Sequence, residues 1–323
     1  MAESPRQATD ANDSAAAFRA RCPSCGGWFE LALAECACGK SWRADWGGIS
    51  FRPGADEFYE GRYMNRLGWT VERARRPVGR LVTPFLNFGY WSAILERAPA
   101  KARILDLGCA AGSALLGELG TTVGVDLSTS ALQMAAEFYP HVVHADLSQL
   151  DFPDGQFDVI VSSFLWEHVA LDAKDALLAR LAAWLSPGGH LVFLFDIESG
   201  NPLFRWLRSK PDLYRRSLVD RDGHVGLEPL PAALARFERA GLRLRSAIGL
   251  NRTIPHLPVL LWLEPYGRDY PLAGLVAAAG RFLGRFGKLP VAYQFAVHAW
   301  DSTIGRLAPA DWSRLALVVA RRA

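Results

Sequence analysis

The stretch that decides the fold is Arg103-Ile104-Leu105-Asp106-Leu107-Gly108-Cys109-Ala110-Ala111-Gly112. Apolar residues lead into a turn that carries glycine at positions 108 and 112, and Asp126 ends a second apolar run eighteen residues after Gly108. Glycines let the backbone approach a ligand, and a helix that begins near Gly112 presents unpaired N–H groups. An acid at about 20 residues' distance can accept ribose hydroxyls. The stretch therefore predicts a nucleotide-binding turn.

Composition places the chain among ordinary globular proteins. It has 323 residues, 50% hydrophobic and 21% charged, which is enough for a sizeable core. The net charge of +3 is lower than a dedicated nucleic-acid binder would carry. Residues 1–19 lack the apolar core of a secretory signal and are expected to be a disordered tail. The most apolar later stretches are too short to span a bilayer, so we expect a cytoplasmic protein.

Alternating apolar and helical segments predict the rest of the fold. Beyond the turn, helices are expected at 112–119, 129–138, 171–185 and 231–240, and strands at 103–107, 121–126, 141–145, 157–162, 190–195, 242–248 and 313–320. This pattern predicts an α/β protein with a mainly parallel sheet. About 60 residues separate the last two strands, which is too long for an ordinary connection. Residues of about 250–312 are therefore expected to form a helical lid over the ligand cleft, and residues 55–101 a helical linker that also covers it.

Four of the five cysteines lie close together, as Cys22, Cys25, Cys36 and Cys38. Two pairs of thiolates on short turns can converge on one tetrahedral Zn²⁺, and glycines 26 and 39 allow the turns to bend. The second pair is spaced Cys-x-Cys, tighter than the usual Cys-x-x-Cys. A disulfide pair or a ribbon without metal is the alternative, although a reducing cytosol disfavours the disulfide. We expect about one structural zinc ion per chain.

Two resemblances to known families follow from these motifs. Residues 20–54, with the four cysteines and Trp46-Gly47-Gly48-Ile49, resemble the zinc ribbon that often precedes bacterial methyltransferase domains. Residues 102–323 resemble the class I S-adenosylmethionine-dependent methyltransferases. The second resemblance rests on five ordered motifs, Asp106-x-Gly108-x-Ala110-x-Gly112, Gly124-Val125-Asp126-Leu127-Ser128, Ala145-Asp146-Leu147, Phe157 to Ser163, and Ser186-Pro187-Gly188-Gly189. It implies a Rossmann-like sheet of seven strands flanked by helices.

The second resemblance also implies a cofactor site. Turn residues Gly108, Cys109, Ala110 and Gly112 would border the amino-acid part of S-adenosylmethionine, with Cys109 a small buried residue rather than a nucleophile. Asp106 would order the turn or reach the cofactor's ammonium group through water. Further along the chain, the implied contacts are Asp126 at the ribose, Asp146 and Leu147 at the adenine, and Ser163 and Phe164 beside the methionine portion and its methyl group. Leu127 is also expected to contact the cofactor. The alternative role for Asp126 and Asp146 is that of strand-end or helix-capping acids.

Two histidines are candidates for a general base, His168 and His224. A packing role is as well supported for His168 as catalysis, whereas His224 precedes a loop that faces substrate in the family. Metal-binding ubiquinone-pathway enzymes use Glu-x-x-Glu-His after strand four, and Phe164 stands at the first position here. This departure disfavours a catalytic divalent ion.

The acceptor is less constrained than the cofactor. The tetrad Asn/Asp-Pro-Pro-Tyr/Phe, typical of amino-group methylation in nucleic acids and proteins, is absent. The segment 197–312 is rich in Trp, Tyr, Leu and Pro. We therefore expect a small-molecule acceptor, namely a secondary metabolite, quinone, lipid-linked compound or sugar, methylated on oxygen. The alternatives are methylation of RNA gripped by the zinc ribbon, or a non-catalytic partner protein that binds the cofactor. Arginines between residues 205 and 221 favour a solvated helix face, with phosphate binding the lesser alternative.

Overall fold

The computed structural model describes residues 17–54, 56–64, 69–253, 257–285 and 289–323. Ten strands are found there, β1 Arg19–Arg21, β2 Trp28–Glu30, β3 Ile49–Ser50, β4 Ala102–Leu107, β5 Gly120–Asp126, β6 His141–His144, β7 Phe157–Ser163, β8 Leu185–Asp196, β9 Leu242–Leu250 and β10 Leu315–Arg322. The α-helices are α1 Val71–Arg75, α2 Pro77–Val82, α3 Tyr90–Leu95, α4 Ala114–Leu119, α5 Thr129–Ala135, α6 Lys174–Trp184, α7 Pro202–Arg208, α8 Pro211–Tyr214, α9 Leu230–Arg239, α10 Leu257–Trp262, α11 Pro271–Gly284 and α12 Leu289–Ser302. Most of the predicted tail lies outside the described residues.

Eight strands form one sheet in the order β3-β6-β5-β4-β7-β8-β10-β9. Strands β3 to β8 run parallel, and β10 pairs antiparallel with both β8 and β9. The prediction of a Rossmann-like α/β fold with a mainly parallel sheet and flanking helices is confirmed. The seven predicted strands are all present, and β3 adds an eighth at one edge that the sequence did not predict. Because β4 lies in the middle, the turn that follows it opens at the centre of the sheet.

Several element bounds differ from the prediction. Helix α4 begins at Ala114 because Ser113 is extended, with φ −140° and ψ 125°. Helix α5 ends at Ala135, three residues before the predicted end. The sequence places the segment 186–189 before the predicted strand 190–195. In the structure this segment lies inside β8, which already starts at Leu185. Leu185 pairs with Phe157, the four residues bulge out, and pairing resumes between His190 and Val159.

The first described residues pack against the sheet. Strands β1 and β2 form a hairpin, and Phe18, assigned by sequence to the tail, is buried and stacks on Phe157 at 5.8 Å between ring centroids. Gln156 exchanges two hydrogen bonds of 2.9 Å with the backbone of Arg19. The cysteine-bearing segment is therefore joined to the main sheet through a shared core.

The segment between β9 and β10 contains helices α10, α11 and α12. Val259 and Trp262 of α10 line the large cavity described below, so this insertion forms part of its wall. In the described part of the chain, none of the helices has both the length and the apolarity needed to cross a membrane.

Candidate functional site

A cavity of about 1010 Å³ opens at the carboxyl ends of the parallel strands. The residues that leave β4, β5, β6, β7 and β8 line it, which is where open α/β sheets bind ligands. All thirteen residues predicted to bind cofactor or act in catalysis lie around it, namely Asp106, Gly108, Cys109, Ala110, Gly112, Asp126, Leu127, Asp146, Leu147, Ser163, Phe164, His168 and His224. The structure thus brings the predicted residues together, while their individual roles stay predictions.

The turn after β4 is held by backbone hydrogen bonds to the neighbouring strand. The N–H groups of Gly108 and Cys109 both donate to the carbonyl of Val125, at 2.9 and 3.0 Å. Ala110 has a positive φ of 45° although it carries a side chain, and its N–H donates to Asp126 Oδ2 at 2.8 Å. A strained residue at the mouth of a cavity is typical of a ligand-binding turn. Cys109 is buried, and burial raises the pKa of its thiol, which agrees with a packing role.

Gly112 lines the cavity and is also required by the packing of the turn. Its φ is +75°, and a Cβ placed there would lie 2.9 Å from the Cα of Ala135 in helix α5. The sequence had attributed this glycine to ligand contact. The structure gives it a second reason, because α5 crosses directly over the turn.

Asp106 is a buried acid at the end of β4. It is 7% exposed, and the hydroxyl of Tyr139 donates to its Oδ2 at 2.7 Å. Burial raises the pKa of Asp106 to about 7, and the charge of Asp126 adds to this, while the bond from Tyr139 lowers it. The Tyr139 hydroxyl also accepts the N–H of Ser113 at 2.8 Å. Tyr139 thus links Asp106 to Ser113 at the end of the turn, while the two roles predicted for Asp106 stay predictions.

Asp126 and Asp146 both bond to nearby backbone, as capping acids do. Asp126 accepts the N–H groups of Ala110 and Ser128, at 2.8 and 2.9 Å, and burial raises its pKa. A carboxylate has about four acceptor positions, so this leaves capacity for a ligand hydroxyl. Asp146 accepts the N–H and the hydroxyl of Ser148, at 2.8 and 2.6 Å, in a partly exposed position. Of the two acids, Asp126 is the more firmly placed in the cavity wall.

The histidines His168 and His224 meet two acids, Glu167 and Asp196, in the wall of the cavity. The imidazoles of His168 and His224 stand edge to face, 4.9 Å between ring centroids. His168 Nδ1 lies 3.2 Å from the carbonyl of Gly223, and burial, together with His224, lowers the pKa of His168 to about 4. His224 Nε2 lies 3.9 Å from Asp196 Oδ2, and burial lowers its pKa as well. Asp196 also forms an ion pair with Arg314, whose Nη1 lies 3.1 Å from Asp196 Oδ1.

Glu167 is the functional candidate that sequence reasoning missed. It is 1% exposed, lines the cavity, and neither carboxyl oxygen has a hydrogen-bond partner. Burial raises the pKa of Glu167, and the charge of Asp196 adds to the effect. The sequence shows Glu167 next to His168 in the segment after β7. It does not show that the carboxyl group of Glu167 lacks hydrogen-bond partners. Asp196 could have been found from the sequence, as the acid that ends the predicted strand now labelled β8.

The loop that carries His224 is fixed against the segment after β7. The N–H of Gly226 donates to the carbonyl of Glu167 at 2.8 Å. Lys174, fully buried, donates to the carbonyl of Gly226 at 2.6 Å and to Glu228 Oε1 at 2.9 Å. Buried and mutually bonded groups of this kind are costly to separate. The network therefore keeps His224 next to Glu167 and His168 without entering the cavity itself.

The four clustered cysteines form a separate group. Their sulfur atoms lie within 4.8 Å of one another, with 3.9 Å between Cys22 and Cys38 and 3.5 Å between Cys25 and Cys36. Four sulfurs at 2.3 Å from one tetrahedral zinc ion are about 3.8 Å apart. All five cysteines are free thiols, so the disulfide alternative is not what the structure contains. The spacing fits a metal.

The arginines between residues 205 and 221 pair with acids. Arg208 lies 3.5 Å from Glu198, Arg216 lies 3.4 Å from Asp212, and Arg215 lies 3.4 Å from Asp220. None of the basic residues of this segment lines the cavity. The arrangement favours a solvated surface over a phosphate site.

Comparisons with known proteins agree with this geometry. Residues 105–193 match a family described as methyltransferase domain. They run from β4 to β8 and include the turn, Asp126, Asp146 and the segment after β7. This part of the chain is therefore similar to a methyltransferase domain.

Individual relatives cover less of the protein. Ubiquinone/menaquinone biosynthesis C-methyltransferase UbiE of Vibrio vulnificus is 31% identical over 137 residues, 38% of this chain and 51% of that protein. The 2-methyl-6-phytyl-1,4-hydroquinone methyltransferase of Synechocystis is 29% identical over 182 residues, 53% of this chain and 55% of that protein. The chain spans about half the length of these curated relatives. A solved phosphoethanolamine N-methyltransferase 2 of Haemonchus contortus is 20% identical, with a TM-score of 0.44 over 78% of this chain and 59% of that one.

Proposed function

We propose that this protein transfers a methyl group from S-adenosylmethionine to a small hydroxylated aromatic acceptor. The observation that carries the proposal is the large cavity at the carboxyl ends of the parallel strands, where the strained turn, Asp126 and the segment after β7 meet. A cavity of about 1010 Å³ is at the upper end for a ligand site. Two ligands side by side, cofactor and acceptor, fit such a space.

The charges of the wall suit a cationic cofactor. Six carboxyl groups line the cavity against two guanidinium groups, namely Asp106, Asp126, Asp146, Glu167, Asp196 and Asp222 against Arg180 and Arg314. When bound, S-adenosylmethionine supplies an electrophilic methyl group on a positively charged sulfur. An acidic wall favours that charge. The donors and acceptors of the turn therefore fit the group.

Within the site we assign roles by position. Asp126 would accept the ribose hydroxyls with its remaining lone pairs, and the turn from Gly108 to Gly112 would border the amino-acid part. Leu127, Asp146 and Leu147 would lie along the adenine. Ser163 and Phe164 would face the reacting centre. Phe164 has a positive φ of 57°, and its N–H donates a hydrogen bond to the carbonyl of Leu194 at 2.7 Å. Fixed alignment of this kind can supply about 7 to 11 kcal/mol of the barrier reduction.

The acceptor is proposed from the lining at the far end of the cavity. Tyr59, Tyr63 and Trp262 give it aromatic walls, which suit a planar apolar ring. The names of the two relatives concern quinone biosynthesis and a hydroquinone, which supports an acceptor of this type. Loss of a proton from a ring hydroxyl makes both that oxygen and the adjacent ring carbon nucleophilic. We propose that His168 and His224 assist this proton loss.

Oxygen is the acceptor atom predicted from sequence, while the Vibrio relative is named a C-methyltransferase, so carbon is the second candidate. One experiment tests the function and decides between them. Purified protein is incubated with methyl-labelled S-adenosylmethionine and a set of phenols, hydroquinones and naphthols, and the product is analysed by NMR. Label in a methoxy group supports oxygen, and label in an aryl methyl group supports carbon. If no acceptor is labelled and S-adenosylhomocysteine does not bind in calorimetry, the function is refuted.

We also propose that the cysteine cluster binds one structural Zn²⁺. The sulfur distances of 3.5 and 3.9 Å are those of a tetrahedral site, and residues 17–54 have few other means of holding their two short turns together. Elemental analysis of reduced protein should find this ion, and its loss in Cys36→Ser would identify the site.

A further inference from the structure

We infer that Glu167, His168 and His224 form a second metal site, for a divalent transition-metal ion, at the acceptor end of the cavity. One ligand atom from each of the three residues lies within 4.8 Å of the others. Two imidazoles and one carboxylate are a ligand set that holds Zn²⁺, Fe²⁺ and related ions with positions left open. The sequence had disfavoured such an ion because Phe164 replaces one acid of a known motif. The structure supplies His224 from a distant loop instead.

The first argument is the isolation of the ligand atoms. Both oxygens of Glu167 and Nδ1 of His224 are buried without a hydrogen-bond partner. The N–H groups of Glu167 and Asp196 face the carboxyl group, but neither has the geometry of a hydrogen bond. Unpaired buried polar atoms cost free energy, and a cluster of them in a native fold indicates an ion or ligand. A cation between them would satisfy all three.

The second argument is how each imidazole is held by its other nitrogen. At His168, Nδ1 lies 3.2 Å from the carbonyl of Gly223 and 3.5 Å from the hydroxyl of Tyr59. The carbonyl is the nearer group and can only accept, which favours the proton on Nδ1 and a lone pair on Nε2. At His224, Nε2 faces the Asp196 carboxylate at 3.9 Å, which is beyond hydrogen-bond distance but favours the proton on that nitrogen. Nδ1, buried and without a hydrogen-bond partner, is then the nitrogen available to an ion. Metal-bound histidines are oriented in this way by a carbonyl or a carboxylate on the outer nitrogen.

The third argument is that the scaffold can close around an ion. Ligand atoms bonded at about 2.1 Å to one metal ion are about 3 to 4 Å from each other. The three ligand atoms lie up to 4.8 Å from one another here, so binding requires them to move closer by roughly 1 Å. The hydrogen bond from Gly226 to Glu167 and the contacts of Lys174 keep the two supporting segments together during that adjustment.

An ion at this place would give the two histidines a common role. It would bind the acceptor's hydroxyl and lower its pKa, which is the assistance assigned to them above. Only this use of the ion rests on the proposed methyl transfer. The presence of the ion does not depend on methyl transfer, so metal binding and methyl transfer are tested separately.

The test measures metal content and cofactor binding in the same samples. Full-length protein is equilibrated with excess Co²⁺, desalted, and analysed for total metal per chain; the visible spectrum distinguishes nitrogen and oxygen ligands from thiolates. We expect Glu167→Gln and His224→Gln to hold one ion fewer than wild type. Asp196→Asn should retain the ion with about ten- to a hundredfold weaker affinity, as for other partners of metal-bound histidines.

Control variants separate this site from its surroundings. Asp222→Asn removes another acid of the same cavity and should leave the metal content unchanged, and Cys36→Ser should lose only the ion of the cysteine cluster. Circular dichroism and a cooperative thermal transition report whether each variant is folded, and binding of S-adenosylhomocysteine tests the proposed function separately. If a variant does not fold, wild type still decides, because nitrogen- and oxygen-bound Co²⁺ is expected in its spectrum. Equal metal content in wild type and folded Glu167→Gln, or no such spectrum, would overturn the inference.

Discussion

Asp106 shows how a single buried acid can be kept for a ligand at the expense of stability. Burial raises its pKa to about 7 from an ordinary value of 3.8, so between these pH values the folded chain holds a proton that the unfolded chain releases. The contribution of this group to stability is therefore complete below about pH 4 and is lost as the pH rises through 7. A neutral amide of the same shape would not be penalised.

We accordingly expect Asp106→Asn to be more stable than wild type at alkaline pH when no ligand is bound. The difference in the free energy of unfolding should be small at pH 4 and grow to roughly 3 to 4 kcal/mol by pH 8. Urea unfolding of both proteins across this range measures it. Asp154→Asn, at an exposed loop position, should differ from wild type by a constant amount. A flat profile for Asp106→Asn would show that the acid is ionised in the folded protein.

Asp126 and Asp146 allow a graded test of the cofactor site. Both bond to backbone, but Asp126 bonds to the turn after β4 through the N–H of Ala110, whereas Asp146 bonds to Ser148 in its own short segment. Asp126→Ala should weaken S-adenosylhomocysteine binding by more than tenfold, at least about 1.4 kcal/mol, because charged acceptors of hydroxyl groups are lost. Asp146→Ala should have a smaller effect. Calorimetric titration of the two variants and wild type gives the order, and equal affinity for all three would contradict the assignment of Asp126.

At the level of elements, the turn after β4 depends on helix α5. A Cβ on Gly112 would lie 2.9 Å from the Cα of Ala135, whereas one on Gly155 would meet nothing closer than 3.8 Å, and both glycines have φ above +70°. Gly112→Ala should therefore combine about 1 to 2 kcal/mol of backbone strain with displacement of α5. Gly155→Ala should show the backbone strain alone.

Denaturant unfolding should place Gly112→Ala at least about 2 kcal/mol below Gly155→Ala, since overpacking typically costs 1 to 3 kcal/mol. Binding of S-adenosylhomocysteine should fall in Gly112→Ala as well, because the moved helix carries the turn with it. Similar losses of stability in the two variants would mean that α5 adapts without strain and does not fix the turn.

Elements were predictable where the signal was local. The strands β4, β5 and β7 each follow from an apolar run, and the acids that end them follow from the motif they belong to. Pairing between distant segments was not predictable. Strand β3 is two residues long and exists because it adds to β6, and His224 meets Glu167 because Gly226 bonds back across more than 50 residues. No periodic pattern encodes such contacts, since they depend on the assembled fold.

At the level of the whole molecule, the cysteine-bearing segment and the main sheet share one core. Cys22 and Cys36 are buried in the same cluster as Phe157 and Phe152, and β3 extends the main sheet. Binding of zinc to thiolates releases about 10 to 16 kcal/mol in small domains, and here that energy would stabilise the joint core. Metal removal is therefore expected to lower the stability of the entire chain and not only of residues 17–54.

Reduced protein should contain about one zinc ion more than Cys36→Ser, and this variant should melt at a lower temperature in one transition that includes the signal from the methyltransferase domain. Scanning calorimetry, with S-adenosylhomocysteine binding as a probe of the cavity, measures both. Cys109→Ser is the matched control, because this buried cysteine lies outside the cluster and should keep the zinc. Two separate transitions in the wild type would contradict the shared core, since a segment that unfolds alone cannot transmit the loss of its metal to the sheet.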